Sequence, residues 1–306
     1  MTIRNVTIVG LGALGILYAG SLLERMPKEN LRIVADQNRV LGYKKNGITR
    51  NGRLMDFHYV LPEETCPPAD LILIAVKYEG LKSALEAIRN QVGPDTIILS
   101  LLNGIRSESD IAAVYGWDKV LYCVAQGMDA VKEGSALTFT RHGLLCIGDV
   151  EEGPASGKLI AVKDFFEEME IPYVLETDMR KRMWGKFMLN VGVNQTVAVY
   201  EGDYGTVQRP GEARDIMIAA MREVLPLAAA EGVKLGEEDI DYWLSVIAPL
   251  HPAGKPSMRQ DTEAHRKTEV ELFSGTVLEI SKKHGIPAPV NQMLNIRIRA
   301  MEDAYL

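Results

Sequence analysis

The chain has 306 residues, enough for one large or two ordinary domains with ample core. Its 47% hydrophobic and 25% charged residues are those of a globular fold in water, and a net charge of −7 argues against a nucleic-acid surface. Cys66, Cys123 and Cys146 are an odd set without CxxC spacing, which suggests neither a disulfide framework nor a zinc site and favours a reducing, cytoplasmic setting without a metal. Apolar runs fall short of the about 20 residues needed to span a bilayer, so no membrane partner is expected. No secretory leader pattern precedes the apparent strand that begins at Ile3.

In chain order, short β-rich runs alternate with helical patterns through the first half. Strands are expected at "VTIVG" from Val6, "LRIVA" from Leu31, "LILIAV" from Leu71, "TIILSLL" from Thr96 and "VLYCVA" from Val120. Helices are expected at "ILYAGSLLER" and at "YEGLKSALEAIRNQVG" from Tyr78. This alternation implies a mostly parallel, Rossmann-like sheet covered by helices. "ITRNGRLMDFHYV" reads as a hairpin, because Asn51-Gly52 suits a tight type I′ turn. "SALTFTRHGLLCIGD" is expected to extend the sheet. Strand-like runs stop near Thr177, and helical patterns follow over 178–200, 211–231, 237–248 and 258–284. The last is closed by Gly285 at the C′ position and by Pro287. The expected organisation is α/β: a dinucleotide-binding domain over 1–177 and an all-helical substrate and dimerisation domain over 178–306.

The first run enters Gly10-x-Gly12-x-x-Gly15 directly. In a dinucleotide-binding unit the first glycine makes the tight turn, the second admits the pyrophosphate, and the third lets helix and strand pack. Unpaired amides at the helix start then meet the phosphate, so Gly10, Gly12, Ala13, Leu14 and Gly15 are the candidate phosphate loop. At the end of the second strand, Asp36 stands where an acidic residue binds a ribose 2′-hydroxyl, which favours NAD(H). Arg39 and Arg32 are near enough in sequence to pair with a 2′-phosphate instead. Asp36 also reads as a plain helix N-cap with Arg39 on a solvated face.

"WGKFMLNVGVNQT" sets Lys186, Asn190 and Asn194 four residues apart among Phe187, Met188, Leu189, Val191 and Val193. On a helix these three share one stripe. Burying such groups without partners is costly, so they are either solvated or arranged to meet something polar. If the bound dinucleotide reduces a substrate, negative charge builds on the reduced group, which calls for a cation and a proton donor. A lysine in a partly dry cleft suits both, and asparagines orient hydroxyl and carbonyl groups without adding charge. On this reading the stripe is the polar floor of a substrate cleft between the two domains. The plainer reading has Lys186 reaching solvent along its stem and the asparagines bonding nearby backbone. Asp261, His265 and Glu269 repeat the four-residue spacing on the expected 258–284 helix, where a solvated charged face is the default and His265 is read as structural. Ser257 opens "SMRQ", a capping-box pattern with Gln260. Lys77 and Asn103 follow the third and fourth core strands, at the edge where α/β sheets bind ligands.

With "GLGALG", "VKYEG", "LLNGI", "KFMLNVGVN" and "PSMRQDTEAHRKTEVELFSG" in order, the chain resembles the ketopantoate reductase family. Members reduce 2-dehydropantoate to pantoate with NADPH, on the route to pantothenate and coenzyme A. The resemblance implies that Lys186 is the catalytic lysine and that Glu269 contacts the substrate hydroxyl. It implies that Asn190, Asn194, Ser257 and Asn103 hold the substrate, and that Lys77 and Asn103 lie beside the nicotinamide end of the cofactor. Two positions depart from the family pattern. Asp36 replaces a basic residue found in many members, which admits NADH. Tyr204 replaces a substrate-contacting asparagine found in some. The expected activity is NAD(P)H-dependent reduction of a 2-keto acid by a homodimer. An NAD-dependent D-2-hydroxyacid dehydrogenase of the same fold and a non-catalytic NAD(P) sensor are the alternatives.

Overall fold

The structure is a computed structural model that describes residues 1–151 and 153–305. It divides into two compact units, Met1–Met179 and Arg180–Leu306. In the first, β1 (Val6–Val9), α1 (Ala13–Leu23), β2 (Leu31–Val34) and α2 (Gln37–Asn46) are followed by the short strands β3 (Ile48–Arg50), β4 (Arg53–Met55) and β5 (His58–Val60). Next come β6 (Leu71–Ile74), α3 (Leu81–Ala87), β7 (Ile97–Ser100), α4 (Ser107–Tyr115) and β8 (Val120–Gln126). The unit closes with β9 (Val131–Glu133), β10 (Ala136–Thr138), β11 (Leu144–Gly148), α5 (Gly157–Glu168) and β12 (Tyr173–Leu175).

The main sheet has eight strands in the order β12-β11-β8-β7-β6-β1-β2-β5, with only β11 and β8 paired antiparallel. The strands β1, β6 and β7 are buried along their whole length because helices cover both faces. Their period-2 alternation divides the apolar side chains between two cores. Ile8, Leu71, Leu73, Ile97 and Leu99 pack with α1 and α5, while Val9, Ile72, Ile74 and Ile98 pack with α3 and α4.

A second sheet, β4-β3-β10-β9, was not anticipated. Asn51 (φ 47°) and Gly52 (φ 79°) make the expected left-handed turn between β3 and β4. The run continuing to Val60 does not stay in that hairpin: β5 crosses to pair parallel with β2. The stretch after Ser135 also splits, β10 entering the small sheet and β11 the main one. Strand β12, an exposed edge three residues long, carried too weak an alternation to be read.

The regular elements described in the second unit are helical: α6 (Met179–Val199), α7 (Tyr204–Gln208), α8 (Glu212–Ala230), α9 (Glu237–Ile247), α10 (Ser257–Glu263), α11 (Thr276–His284) and α12 (Pro289–Tyr305). Two glycines in α6 set its packing distance. A Cβ at Gly185 would lie 2.5 Å from Trp243 Nε1 of α9, and one at Gly192 2.9 Å from the Met217 carbonyl of α8. The expected helix over 258–284 is not continuous. It stops after α10, His265 takes a left-handed φ of 49°, and a π-helical turn, Glu271–Gly275, precedes α11. Asp261, His265 and Glu269 therefore do not form one stripe. Helix α11 ends at Gly285 in the left-handed conformation, as its C′ position requires. Helix α12, which begins on Pro289, lay beyond the stop signal and was not anticipated. No helix among the described residues is long and apolar enough to cross a membrane.

The chain leaves β1 through Gly10, at φ +95°, and α1 then passes back over that glycine. A Cβ on Gly15 would sit 1.9 Å from the Gly10 carbonyl oxygen, which is backbone and cannot move aside. Gly15→Ala is therefore expected to cost about 1–3 kcal/mol of stability through overpacking. A urea titration checks this, and an unchanged midpoint would contradict the close approach.

Candidate active site

The registers of the first unit align the carboxyl ends of four strands. Val9 pairs with Val34 and with Ile74, and Ile74 pairs with Ser100. The segments carrying Gly10–Gly15, Asp36, Lys77 and Asn103 therefore all leave the sheet at one edge, where open α/β sheets bind nucleotides. At the first of these, Gly12 is the N-cap of α1, makes no side-chain cap, and has no acid in the turn that follows. A Cβ on Gly12 would meet nothing closer than the Ala75 carbonyl at 3.5 Å, and the residue is exposed. The packing inside the protein thus needs Gly10 and Gly15 but not Gly12. An exposed, uncapped helix start of this kind, bearing Ala13 and Leu14, is suited to an anionic group.

Asp36 is the N-cap of α2: its carboxylate accepts the Arg39 N–H at 2.9 Å and lies 3.3 Å from Arg39 Nε. Both side chains remain more than half exposed. Arg32 is different from what its position suggested. It is 5% exposed, and its guanidinium donates to the Pro67 carbonyl at 2.5 Å and to Gln91 at 3.0 Å. Its side chain is a buried strut, and pairing with a 2′-phosphate would leave those acceptors unmet. Lys77 is exposed at the N-cap of a short turn, Tyr78–Gly80, and Asn103 is half-buried beside Gly104 at φ +90°.

Behind Asn103 lies a buried acid that sequence reasoning did not single out. Glu108, in the first turn of α4, is 2% exposed. The Leu102 N–H donates to Ser100 Oγ at 3.2 Å, Ser100 to Ser107 Oγ at 2.8 Å, and Ser107 to Glu108 at 2.9 Å. This directional chain ties the two ends of the Asn103 loop together. Burial pushes the Glu108 carboxyl up to about 7, against the opposing pull of the hydrogen bonds it accepts. In sequence Glu108 is an ordinary first-turn acid, with nothing to show that the loop closes over it.

In the second unit, Lys186 is half-buried on α6, and Asn190 and Asn194 are 7% and 6% exposed. The two amides are joined, Asn194 Nδ2 donating to Asn190 Oδ1 at 3.1 Å. Asn194 Oδ1 accepts twice, from Ser257 Oγ at 3.1 Å and from the Met258 N–H at 3.2 Å. Ser257 thus joins Asn194 and Asn190 in one hydrogen-bonded run, and the two asparagines lie on the α6 stripe that carries Lys186. Ser257 itself is not a cap. Pro256 holds the N-cap position of α10 and Gln260 donates to the Lys255 carbonyl, so the expected capping box does not form. A side chain from another helix, Asn194, does the capping instead. Glu269 is half-buried in the turn before the π-helix, its carbonyl accepting from Leu272 and Phe273. Tyr204, at the start of α7, donates its N–H to the Gly254 carbonyl, and its ring would stand 3.0 Å from a Cβ there. It packs on the segment that leads into Ser257.

The family profile described as ketopantoate reductase PanE/ApbA matches residues 6–152, and its C-terminal counterpart matches residues 178–302. The chain belongs to the ketopantoate reductase family. With the family comes its class of chemistry, oxidoreduction at a CH–OH group. Among relatives, the 2-dehydropantoate 2-reductase of Aquifex aeolicus is 26% identical over 300 residues, covering 96% of each chain. Two solved structures share the fold over nearly the whole length. D-mandelate dehydrogenase with NADH and anilino(oxo)acetate has a TM-score of 0.85 at 21% identity, covering 98% of this chain and 99% of its own. A dimeric ketopantoate reductase from Staphylococcus aureus has a TM-score of 0.80 at 20% identity, covering 99% and 100%.

Glu108 yields a pH signature. A carboxyl raised to about 7 in the folded chain, against about 4.5 unfolded, stabilises the fold below the lower value. That contribution is lost as pH rises through the higher one. Glu108→Gln is expected to remove about 1–3 kcal/mol of the stability difference between pH 5 and pH 8. Denaturation midpoints at the two pH values check it; an unaltered difference would contradict burial of the acid.

Proposed function

We propose that the chain reduces a 2-keto acid to the 2-hydroxy acid with a reduced nicotinamide cofactor, most directly 2-dehydropantoate to pantoate. The observation that carries this is the hydrogen-bonded run from Ser257 of α10 to Asn194 and Asn190, whose asparagines share a stripe of α6 with Lys186 among buried apolar neighbours. The uncapped glycine start of α1 fits a pyrophosphate, with Gly10, Gly12, Ala13, Leu14 and Gly15 holding it and Lys77 and Asn103 toward the nicotinamide. Bound there, the cofactor supplies the hydride that C2 of the keto acid receives.

The remaining chemistry belongs to side chains. The Lys186 ammonium stabilises charge growing on the ketone oxygen and gives that oxygen its proton. Arginine would hold the charge but would not release a proton at neutral pH. Ser257 and the two asparagines orient the carboxylate and hydroxyl groups of the substrate, because each amide both donates and accepts. Glu269 accepts from the nascent alcohol. By analogy with the Staphylococcus aureus enzyme, the working form is a dimer.

A second reading, an NAD-dependent D-2-hydroxyacid dehydrogenase of the same fold, is favoured on the cofactor side by Asp36. Its exposed carboxylate stands at the end of β2 and would repel a 2′-phosphate, and Arg32 is committed elsewhere. The NADH-bound D-mandelate dehydrogenase offers a precedent on the same fold.

Two substitutions test these points. Lys186→Ala is expected to lower kcat by about 10²–10⁴-fold while NADH affinity, read by nucleotide fluorescence, is retained. Unchanged turnover would remove the proton donor from the scheme. Asp36→Ser keeps a capping oxygen for α2 and removes the charge. It is expected to shift the kcat/KM ratio of NADPH to NADH upward by about tenfold, through loss of charge repulsion; no shift would assign Asp36 to capping alone.

A further inference from the structure

The segment that carries Glu269 is held on both sides by buried side chains from other helices. On its N-terminal side, the Thr268 N–H donates to Glu302 Oε1 of α12 at 2.6 Å, and Glu302 is 6% exposed. On its C-terminal side begins the π-helical turn, and a turn this wide persists where something takes the place of the regular backbone partner. Gln195 of α6 does so. Its Oε1 accepts the Ser274 N–H at 3.2 Å, while its Nε2 donates to the Val191 carbonyl at 2.7 Å and to Asn291 Oδ1 at 3.2 Å. Gln195 is fully buried, so each of these bonds replaces water that is absent.

Helix α12 completes the arrangement. Asn291, Asn295 and Glu302 are spaced by 4 and 7 positions, so they lie on one face of the helix, and all three are buried. Asn295 donates to Ser274 Oγ at 3.0 Å, and Ser274 Oγ reaches the Val270 carbonyl. An apolar helix face would have packed the same volume more simply. Instead Glu302 meets the backbone next to Glu269, Asn295 meets the hydroxyl of Ser274, and Asn291 accepts from the amide of Gln195 that holds the Ser274 N–H.

We propose that Gln195 and Glu302 are positioning residues for Glu269: they fix the backbone turn from which its carboxylate meets the substrate. This rests on the reading of Glu269 as a substrate-contacting residue. Neither side chain takes part in the chemistry. Gln195 is one residue beyond Asn194, so one helix of the second unit both lines the candidate site and braces the segment carrying its acid.

The test compares full-length variants assayed with 2-dehydropantoate and with phenylglyoxylate, using NADH. Gln195→Met and Glu302→Leu are expected to lower kcat by at least about tenfold with the KM for NADH kept within about twofold. Glu302→Gln keeps an oxygen for the Thr268 N–H and should retain kcat within about threefold, and Gln195→Glu, which keeps the acceptor for Ser274, should exceed Gln195→Met. The double variant Gln195→Met with Glu269→Gln should be no slower than Glu269→Gln alone, since residues acting through one group are not additive. Full kcat in Gln195→Met and Glu302→Leu, while Glu269→Gln is impaired, would overturn the proposal and leave the role of Glu269 standing. Multiplicative losses in the double variant would overturn it too. An unimpaired Glu269→Gln would instead overturn the role of Glu269, and this proposal with it.

Discussion

One buried amide organises the second unit. Asn194 Oδ1 accepts from the hydroxyl of Ser257 and from the backbone of Met258, while its nitrogen donates to Asn190. A primary amide at 6% exposure must be paired on both ends or cost more than a hydrogen bond returns. That constraint ties the start of α10 to α6, so the serine expected to cap a helix donates to an asparagine instead. The next residue, Gln195, meets the same demand by reaching a different backbone segment. The amides of Asn194 and Gln195, on a helix flanked by Phe187, Met188 and Val191, are thus paired within the fold.

The first unit solves a different problem, bringing backbone close to backbone. Gly10 and Gly15 are required because α1 crosses directly over the end of β1, and a single methyl on Gly15 would strike a carbonyl. Gly12 is spared that pressure and stands open at the head of the helix. The parallel registers of β1, β2, β6 and β7 then carry Asp36, Lys77 and Asn103 to the same edge. Each of these residues has an ordinary local explanation as a cap or a turn. Their convergence on one edge is what the local explanations do not supply.

The features that were legible in the sequence are those written in local periodicity or local backbone chemistry. The five core strands, the helix after the glycine loop, the Asn51-Gly52 turn and the left-handed stop at Gly285 are all of this kind. The stripe on α6 was visible because three polar residues interrupt an apolar helix at a fixed spacing. The failures share a cause in tertiary partners. The pattern over 258–284 looked continuous because Gln195 and Glu302, which hold the break, are distant in sequence. Ser257 looked like a cap because Asn194, the real one, is 63 residues away. Arg32 looked available for a phosphate because nothing local reveals that Gln91 and Pro67 enclose it. Glu108 went unnoticed for the same reason, its burial arising only when the Asn103 loop folds back.

The central claim is that an amine at position 186 protonates the ketone oxygen as hydride arrives. Chemical rescue tests it most directly: Lys186→Ala supplied with small primary amines during 2-keto acid reduction. The account predicts that turnover rises with amine concentration, varies with amine pKa, and is not restored by guanidinium, which holds its proton. A folded, NADH-binding Lys186→Ala variant that no amine accelerates would contradict it.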